Sequence, residues 1–357
     1  MNKLLDLYSD YLISSFGLTT ATGLATLLKG GISHDQVTRF LASTPHTTAD
    51  LWKTAKPFVR RIQSDQAVMI LDDSISEKPY TDENDIVCWH YDHSHQRTVK
   101  GINFLTALYH SQGVSLPVGF ALVAKTEHYL DQKDGKAKRR SPVSKNEHYR
   151  ALLEHTVKNQ IPFRYVLNDS WYSSADNMLF IKHTLGKDFV MPIKSNRKVA
   201  LRLADKHQGR YVRVDTLELE KNVTVTVYLE GVDFPVLLAK QVFVNEDESI
   251  GVLYLITSDT TLSYDDITTI YQRRWNVEPY HKSLKHAKRA SLEKSPTQTV
   301  ATQTNHFFAA LCAFIKLEML IATTKLNHFA LKTKLYVNAL QVAFSTLREL
   351  QPVQLTA

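Results

Sequence analysis

Two short apolar runs that end in acidic residues place the strongest constraint on how this chain can fold. The first, QAVMILDDS, spans residues 66–74, and the second, FRYVLNDSWYSS, spans residues 163–174. A short, nearly continuous apolar run bounded by polar residues is typical of a buried strand. The two strands would then deliver acids at their carboxyl ends: Asp72 and Asp73 from the first, and Asp169 from the second.

The segments around these runs alternate between strand and helix patterns. Strand patterns cover residues 103–110, 116–124 and 188–195, and helical patterns cover residues 146–159 and 175–185. The Gln112-Gly113 pair predicts a hairpin turn between the first two of these strands. Strands and helices in this order predict an α/β fold, in which ligands gather at the carboxyl edge of the sheet.

Both ends of the chain and one internal segment depart from this alternation. Residues 1 to about 60 have helical patterns, with a turn at Gly30-Gly31 and Ser33 as the N-cap of the next helix. A DNA-contacting helix-turn-helix and a plain helical hairpin both fit this pattern. Residues 196–259 are rich in strand patterns with no helix between them, and residues 297–350 are helical and apolar enough to be buried.

The composition is that of a globular protein with a mild excess of positive charge. Of its 357 residues, 43 are Lys or Arg and 36 are Asp or Glu, which gives a net charge of +7 and favours polyanionic partners. Cys88 and Cys312 lie far apart and form no CxxC motif, so we expect reduced thiols. Asp6 and Asp10 interrupt the apolar N-terminal pattern, which argues against a signal peptide, and no run approaches the ~18 apolar residues of a membrane span.

The stretch YQRRWNVEPYHKSLK at residues 271–285 places one carboxylate within a row of bases. At about 100° per residue, one helix face carries Tyr271, Arg274, Glu278, Lys282, Lys285 and Arg289. A solvated charged face with i,i+4 ion pairs fits this row. However, Trp275 lies beside the row, and Pro279 directly follows the glutamate and should bend the helix. A site that holds a divalent metal and grips phosphates needs the same groups.

This stretch resembles the signature of the DDE transposases of bacterial insertion sequences, which reads Tyr, two residues, Arg, three residues, Glu, six residues, Lys. Tyr271, Arg274, Glu278 and Lys285 fill the four positions without a gap. The resemblance covers roughly residues 66–289. It implies an RNase H-like mixed-sheet catalytic core interrupted by a β-rich insertion, with helical regions at both ends of the chain.

The helix and strand patterns, together with this resemblance, divide the chain into five regions. These are a helical, DNA-binding region at 1–61, the two parts of the core at 62–195 and 261–296, the insertion at 196–260 and a C-terminal helical region at 297–357.

Three acids would form the catalytic and metal-binding set by this resemblance. The first aspartate of the family usually stands two residues before a Ser or Thr, which selects Asp72 of Asp72-Asp73-Ser74 and leaves Asp73 in reserve. The second and third acids are Asp169 and Glu278. Together they would bind two Mg²⁺ ions, for which we expect Mn²⁺ to substitute.

Several further residues would contact DNA. Phosphates near the cut would meet Tyr271, Arg274, Trp275, Lys282 and Lys285. The basic tract at residues 131–141 should be a mobile loop, and both a solvated loop and a nucleic-acid contact through Lys138, Arg139 and Arg140 fit its composition. In relatives that cut through a hairpin intermediate, an aromatic residue holds a flipped base. Candidates for that role, with core packing as the alternative for each, are Trp171, Tyr172 and Tyr228.

A group of histidines offers a competing metal site. CWHYDHSH contains Cys88, His90, Asp92, His93 and His95. These residue types can bind zinc, although their spacing matches no familiar closed zinc motif.

The resemblance implies a transposase that cuts DNA at the ends of an insertion sequence and joins the 3′-OH ends to target DNA by two-metal phosphodiester hydrolysis and strand transfer. An RNase H-like nuclease or resolvase without strand transfer is one alternative. A catalytically inactive DNA-binding protein derived from a transposase is another. The expected partners are double-stranded DNA with terminal inverted repeats, target DNA and a second copy in a synaptic homodimer, with no membrane. We expect a cytoplasmic protein associated with the bacterial nucleoid.

Overall fold

The computed structural model describes residues 3–350, apart from residues 16, 94, 133–134, 245–247, 286–291 and 327. Within that part of the chain the α-helices are α1 (Lys3–Ser14), α2 (Ala21–Leu27), α3 (His34–Leu41), α4 (Thr48–Ile62), α5 (Lys145–Lys158), α6 (Ala175–Leu179), α7 (Leu203–His207), α8 (Tyr264–Gln272), α9 (Val277–Lys285), α10 (Val300–Thr324) and α11 (His328–Leu350). The strands are β1 (Val68–Glu77), β2 (Val87–Asp92), β3 (Arg97–Ser111), β4 (Val114–Leu122), β5 (Glu127–Leu130), β6 (Ala137–Arg140), β7 (Tyr165–Leu167), β8 (Asp188–Ile193), β9 (Lys198–Ala200), β10 (Val212–Arg213), β11 (Thr224–Leu229), β12 (Val236–Val244) and β13 (Ile250–Thr257).

One large mixed sheet organises the molecule. Its strand order is β10-β9-β11-β12-β13-β8-β7-β1-β3-β2, with β4 also paired to β3. The pairs β4-β3 and β3-β1 are antiparallel, whereas β1-β7 and β7-β8 are parallel. Three antiparallel strands followed by two parallel ones, in the spatial order β4-β3-β1-β7-β8, are the arrangement of an RNase H-like core. The predicted fold class is therefore confirmed: an α/β mixed sheet with helices at both ends of the chain.

The hairpin between β3 and β4 turns where the sequence predicts. Gln112 has φ 51° and Gly113 has φ 76°, and Ser111 pairs with Val114. A two-residue turn with two positive φ angles matches the twist of the flanking strands, and glycine reaches that conformation without a steric penalty.

The β-rich segment continues the central sheet. Strand β13 pairs antiparallel with β8 from Tyr254↔Ile193 to Thr257↔Val190, so β9–β13 lie in the same sheet as the core strands. The expectation of no helix within this segment is wrong, because α7 lies between β9 and β10. Its sequence LADKH contains good helix formers, and Gly209 at φ 67° follows it. The division of the chain into the five predicted regions stays a prediction.

The N-terminal helices follow the predicted pattern around the Gly30-Gly31 turn. Ser33 caps α3, and its side chain and that of Gln36 exchange hydrogen bonds with each other's backbone N–H groups in a capping box. Helix α4 follows and packs on β4, where the Thr48 hydroxyl donates a 2.6 Å hydrogen bond to the Phe120 carbonyl.

Helix α10 crosses the core of the protein. The nine residues from Phe307 to Ile315 are all buried, and α10 packs on α1, α4 and β4. By length and composition it could cross a membrane, with a mean hydropathy of 1.8 and 56% of its apolar window buried, so the expectation that no run approaches such a length is wrong. A buried central helix passes the same test because it too is apolar on every side. Cys312 on this helix and Cys88 on β2 are both buried, free thiols.

Candidate active site

The first two predicted acids stand where two parallel strands separate. The pairing of β1 with β7 ends at Ile70↔Leu167, and Asp72 and Asp169 each lie two residues beyond it. Strand β1 itself continues to Glu77 because β3 still pairs with it on the other side. The prediction that the first strand ends at its acids is therefore wrong, but the parallel edge does end there. Such an edge leaves side chains open to a ligand.

Asp72 and its neighbour Asp73 face opposite sides of the sheet, as alternation along a strand requires. Asp73 is saturated by three donors: Tyr172 Oη to Oδ1 at 2.7 Å, Asn103 Nδ2 to Oδ2 at 2.9 Å, and Lys145 Nζ to Oδ2 at 2.7 Å. Asp72 accepts its neighbour's backbone N–H at 3.0 Å and lies 3.7 Å from a guanidinium nitrogen of Arg274.

Asp169 sits in a loop that buried polar groups hold in place. Its Oδ1 accepts the Trp171 N–H at 3.0 Å, and its carbonyl accepts Asn168 Nδ2 at 2.7 Å. Asn168 in turn accepts the Tyr149 hydroxyl at 2.8 Å, and the Tyr149 ring stacks on Tyr172 at 5.0 Å. Tyr172 also donates a hydrogen bond to Asp73, so one network joins the Asp169 loop to β1.

Glu278 lies on a helix that is broken just before it. The sequence predicts one helix over residues 271–285, but α8 gives way to a 3₁₀ turn at Arg273–Asn276 before α9 begins. Pro279 is the third residue of α9. The first turn of a helix has no carbonyl partner for its N–H groups, so a proline there costs no hydrogen bond. Instead of the predicted bend at Pro279, the helix is broken just ahead of it, and the new helix accommodates the proline in its first turn.

Arg274, on the 3₁₀ turn, links the first and third acids. Its Nη1 lies 3.7 Å from Asp72 Oδ2 and 3.9 Å from Glu278 Oε1. The guanidinium also lies over the rings of Trp275 and Tyr271, at 4.6 Å and 5.8 Å from their centroids. Its side chain is only 10% exposed, whereas that of Glu278 is 55% exposed.

The electrostatics of the site suit a cation. Burial, followed by the charges of Asp169 and Asp73, raises the pKa of Asp72 well above its ordinary value, and burial and Asp73 raise the pKa of Asp169. Burial acts to raise the pKa of Asp73 as well, but Lys145, Tyr172 and Asn103 outweigh it and the pKa is lowered.

Carboxylate oxygens of this kind are the ligands that Mg²⁺ prefers, and a divalent ion would relieve the repulsion between Asp72 and Asp169, so the residues fit such a metal. Among the described residues, no three His, Cys, Asp or Glu side chains are already grouped to hold a metal ion, either in this site or in the histidine group that offered a competing zinc site.

Two family models match the chain. The DDE superfamily endonuclease model matches residues 1–224, and the transposase DDE domain model matches residues 141–315. The chain belongs to the DDE superfamily of endonucleases. Together the two matches indicate a transposase-type function, in a superfamily that typically uses divalent metals, and the prediction of a DDE transposase is confirmed. The matched ranges include Asp72, Asp169 and Glu278.

The remaining comparisons add little to this family assignment. No curated protein matches the chain. One solved structure that it resembles is the Drosophila P element transposase strand transfer complex, at 11% identity over 47% of this chain and 33% of that one, with a TM-score of 0.23. This chain thus spans about a third of the length of that protein, and a likeness at this level supports no conclusion.

The other residues predicted around Glu278 in this DDE chain differ in exposure. Tyr271 and Arg274 are buried beside the acids, and burial raises the pKa of Tyr271 to about 12. Trp275 and Lys282 are exposed. Lys285 is partly buried, and burial lowers its pKa. Arg289 lies outside the described residues.

Residues 137–140 of the basic tract form strand β6 of a hairpin, so the prediction of a loop is wrong for these residues. Strands β5 and β6 pair from Glu127↔Arg140 to Leu130↔Ala137 in a sheet of their own. Each predicted DNA contact on β6 has an acidic neighbour: Lys138 bonds to Asp131, Arg139 lies 3.7 Å from Asp85, and Arg140 bonds to Glu127 at 2.7 Å. Of these pairs, Glu127 and Arg140 lie directly opposite each other on the two strands, and a cross-strand pair of opposite charge stabilises a short hairpin.

The three aromatic candidates for holding a base differ in access. Tyr172 is fully buried against Tyr149, which leaves no room for a base. Trp171 is 50% exposed, next to Asp169, with Lys145 Nζ 5.8 Å from its ring. Tyr228 lies under Lys206 Nζ at 5.6 Å.

Sequence reasoning missed the groups that hold the acids: Asn103, Lys145, Tyr149 and Asn168. The one available signal was strand alternation, which makes two adjacent aspartates face opposite sides and therefore requires separate partners for Asp73.

Proposed function

We propose that this chain is a transposase that cuts DNA at the ends of an insertion sequence and joins the freed 3′-OH ends to target DNA. The observation that carries the proposal is the placement of Asp72 and Asp169 at equal distances past the separation of β1 and β7, with Glu278 linked to Asp72 through Arg274. Asp72 on β1 thereby lies near both Asp169, in the loop after β7, and Glu278 on α9, whose charges raise its pKa.

Asp72, Asp169 and Glu278 would hold the metal ions, Mg²⁺ or in its place Mn²⁺. When bound, the ions supply Lewis-acid activation of the attacking oxygen and charge neutralisation at the scissile phosphate. Arg274 orients the carboxylates of Asp72 and Glu278. Exposed Lys282 neutralises DNA phosphates along α9 as a point charge.

The DNA and assembly partners follow from this function. Double-stranded DNA with terminal inverted repeats would pass α9 and the β5–β6 hairpin, and residues 1–61 would add a further DNA contact. Trp171 would stack a flipped base. Two ends must be cut together, which requires a synaptic homodimer, and the enzyme would act on the nucleoid in the bacterial cytoplasm.

Cleavage of DNA that carries the element's ends tests the proposal. In the presence of Mg²⁺ we expect cleavage by the wild type and near-complete loss in Asp72→Ala, Asp169→Ala and Glu278→Ala. Asp82→Ala, which changes an exposed aspartate outside the site, is the matched control and should keep full activity. Full activity in Glu278→Ala would rule out the mechanism.

The products distinguish the two alternatives. A nuclease or resolvase without strand transfer would release cut ends and join none of them to a target plasmid. A catalytically inactive DNA-binding protein would shift the DNA in a gel and cut nothing. The presence of all three acids, with Asp169 and Glu278 near Asp72, favours the active transposase.

A further inference from the structure

Helix α11 carries a long uncharged stretch on the protein surface. Residues 335–347 read LYVNALQVAFSTL and contain no charged side chain. Six large apolar side chains in this stretch are at least 45% exposed: Leu335, Val337, Leu340, Val342, Phe344 and Leu347. Single exposed apolar residues are ordinary, but four of these six lie on one face of the helix, spaced by three and four residues: Val337, Leu340, Phe344 and Leu347. A contiguous apolar face of this kind marks a surface that another molecule covers.

A groove on this helix has the residue spacing of the holes into which a facing helix packs. Its lining comes from α11 alone and consists of Val337, Leu340, Gln341, Ala343, Phe344 and Leu347. These residues form two overlapping sets of four at offsets i, i+3, i+4 and i+7, one starting at Val337 and one at Leu340. Four residues at these offsets form the hole that receives one side chain of a facing helix in a coiled coil. The groove therefore fits the apolar side chains of a helix.

We propose that α11 is the docking surface for α11 of a second copy of this chain. The helix also carries side chains at alternating spacings of four and three residues: Tyr336, Leu340, Ala343 and Leu347. The same helix therefore supplies both the holes and the side chains that insert into them. Because residues 335–347 are uncharged, two identical helices can meet there without like-charge repulsion. Two identical surfaces that fit each other close into a two-fold dimer.

This inference rests on the proposed function in one respect, because cutting two DNA ends together requires two copies. The 23 residues of α11 span about 35 Å, and a pair of such helices lies at the low end of stable interface sizes. We therefore expect a dissociation constant in roughly the micromolar range for the protein without DNA.

Sedimentation velocity of the full chain, without DNA or metal, tests the docking surface. From about 1 to about 100 µM, the wild type should shift from monomer to dimer. Leu340→Asp combined with Leu347→Asp buries charge in the contact between the two α11 helices and should weaken dimerisation at least ~100-fold. Asn338→Asp combined with Ser345→Asp adds the same charge to the opposite face of the helix and should leave the dimer intact. Circular dichroism checks that each variant is folded.

Two outcomes overturn the inference: a wild type that stays monomeric throughout this range, or equal weakening by both pairs of substitutions. A monomeric wild type that still cuts DNA removes the docking surface and leaves the proposed function standing. If the wild type dimerises but Glu278→Ala retains full cleavage, the docking surface stands and the proposed function fails.

Discussion

The hydroxyl of Tyr172 donates a 2.7 Å hydrogen bond to the carboxylate of Asp73. This bond ties the loop that carries Asp169 to the strand that carries Asp72, because Tyr172 lies three residues after Asp169 and Asp73 directly follows Asp72. Neither partner is a proposed metal ligand. Together they fix the relative position of two residues that are.

Tyr172→Phe should lower the free energy of unfolding by about 1.5–3 kcal/mol, since it removes one hydrogen bond to a buried carboxylate and leaves the ring stack in place. Urea unfolding measures the change. Tyr80→Phe, at a tyrosine that is 98% exposed, is the control and should change the free energy by less than about 0.5 kcal/mol. Equal effects in the two variants would show that the bond to Asp73 contributes nothing.

Arg274→Gln should slow DNA cleavage at least tenfold at neutral pH. The substitution removes the positive charge that lies near both Asp72 and Glu278 and that lowers the pKa of Asp72. That pKa should then rise further, so activity should recover in part as the pH is raised. Arg274→Lys keeps the charge but not the planar group and should be intermediate. Single-turnover cleavage against pH measures this, and an unchanged profile in Arg274→Gln would contradict the assignment.

Replacing Lys138, Arg139 and Arg140 together by alanine should lower the affinity for DNA and make that affinity depend less on salt concentration. Each phosphate contact contributes about 0.9 to the slope of log K against log salt concentration, so the slope should fall by up to ~2.7. Fluorescence anisotropy of labelled duplex DNA gives the slope. Asp85→Asn combined with Glu127→Gln neutralises two partner acids and should strengthen binding. An unchanged slope in the triple variant would place the DNA elsewhere.

The free energy of unfolding should decrease in acid because His281 is buried in its neutral form. Burial, followed by the charge of Lys285, lowers the pKa of His281 from 6.5 to about 3. Below about pH 6.5 the unfolded state binds a proton at His281 that the folded state does not bind. The contribution of the neutral ring to the free energy of unfolding is therefore complete above that pH and is lost as the pH falls towards 3. Between about pH 6 and pH 4, wild-type unfolding should depend on pH more steeply than His281→Gln by up to ~1.4 kcal/mol per unit. Parallel slopes would show that the ring titrates normally.

Trp171→Ala should reduce excision if this ring stacks a flipped base. Stacking of one base on an aromatic side chain contributes about 1–3 kcal/mol, which corresponds to roughly 5- to 150-fold in rate or affinity. A 2-aminopurine placed next to the cut reports the unstacked base by fluorescence. Trp89→Ala changes a tryptophan of similar exposure, 52% against 50%, and should have no effect.

The sequence predicts those parts of the site whose spacing is local. Strand patterns locate Asp72 and Asp169, and a fixed spacing locates Glu278 relative to Arg274. The surroundings of these residues depend on contacts between distant segments, which no local pattern contains. Lys145 reaches Asp73 across 72 positions of the chain, for example.

Where local rules fail, a pairing partner explains the failure. Strand β1 runs past its acids because β3 continues beside it. Residues 137–140 of the basic tract form a strand because Glu127, four residues before the tract, pairs with Arg140 near its far end. In both cases the decisive residue lies outside the segment from which the prediction was made.

The 3₁₀ turn at Arg273–Asn276 changes what the spacing of the signature means. A 3₁₀ turn rotates the chain by about 120° per residue instead of about 100°, so four residues turn α9 by about 80° relative to a continuous helix. The interval from Tyr271 to Glu278 therefore counts residues along three segments, α8, the 3₁₀ turn and α9, of which the turn has a different pitch from the two helices. A substitution that extended the α-helix through this turn would preserve every letter of the signature outside it and still rotate the glutamate away from Asp72.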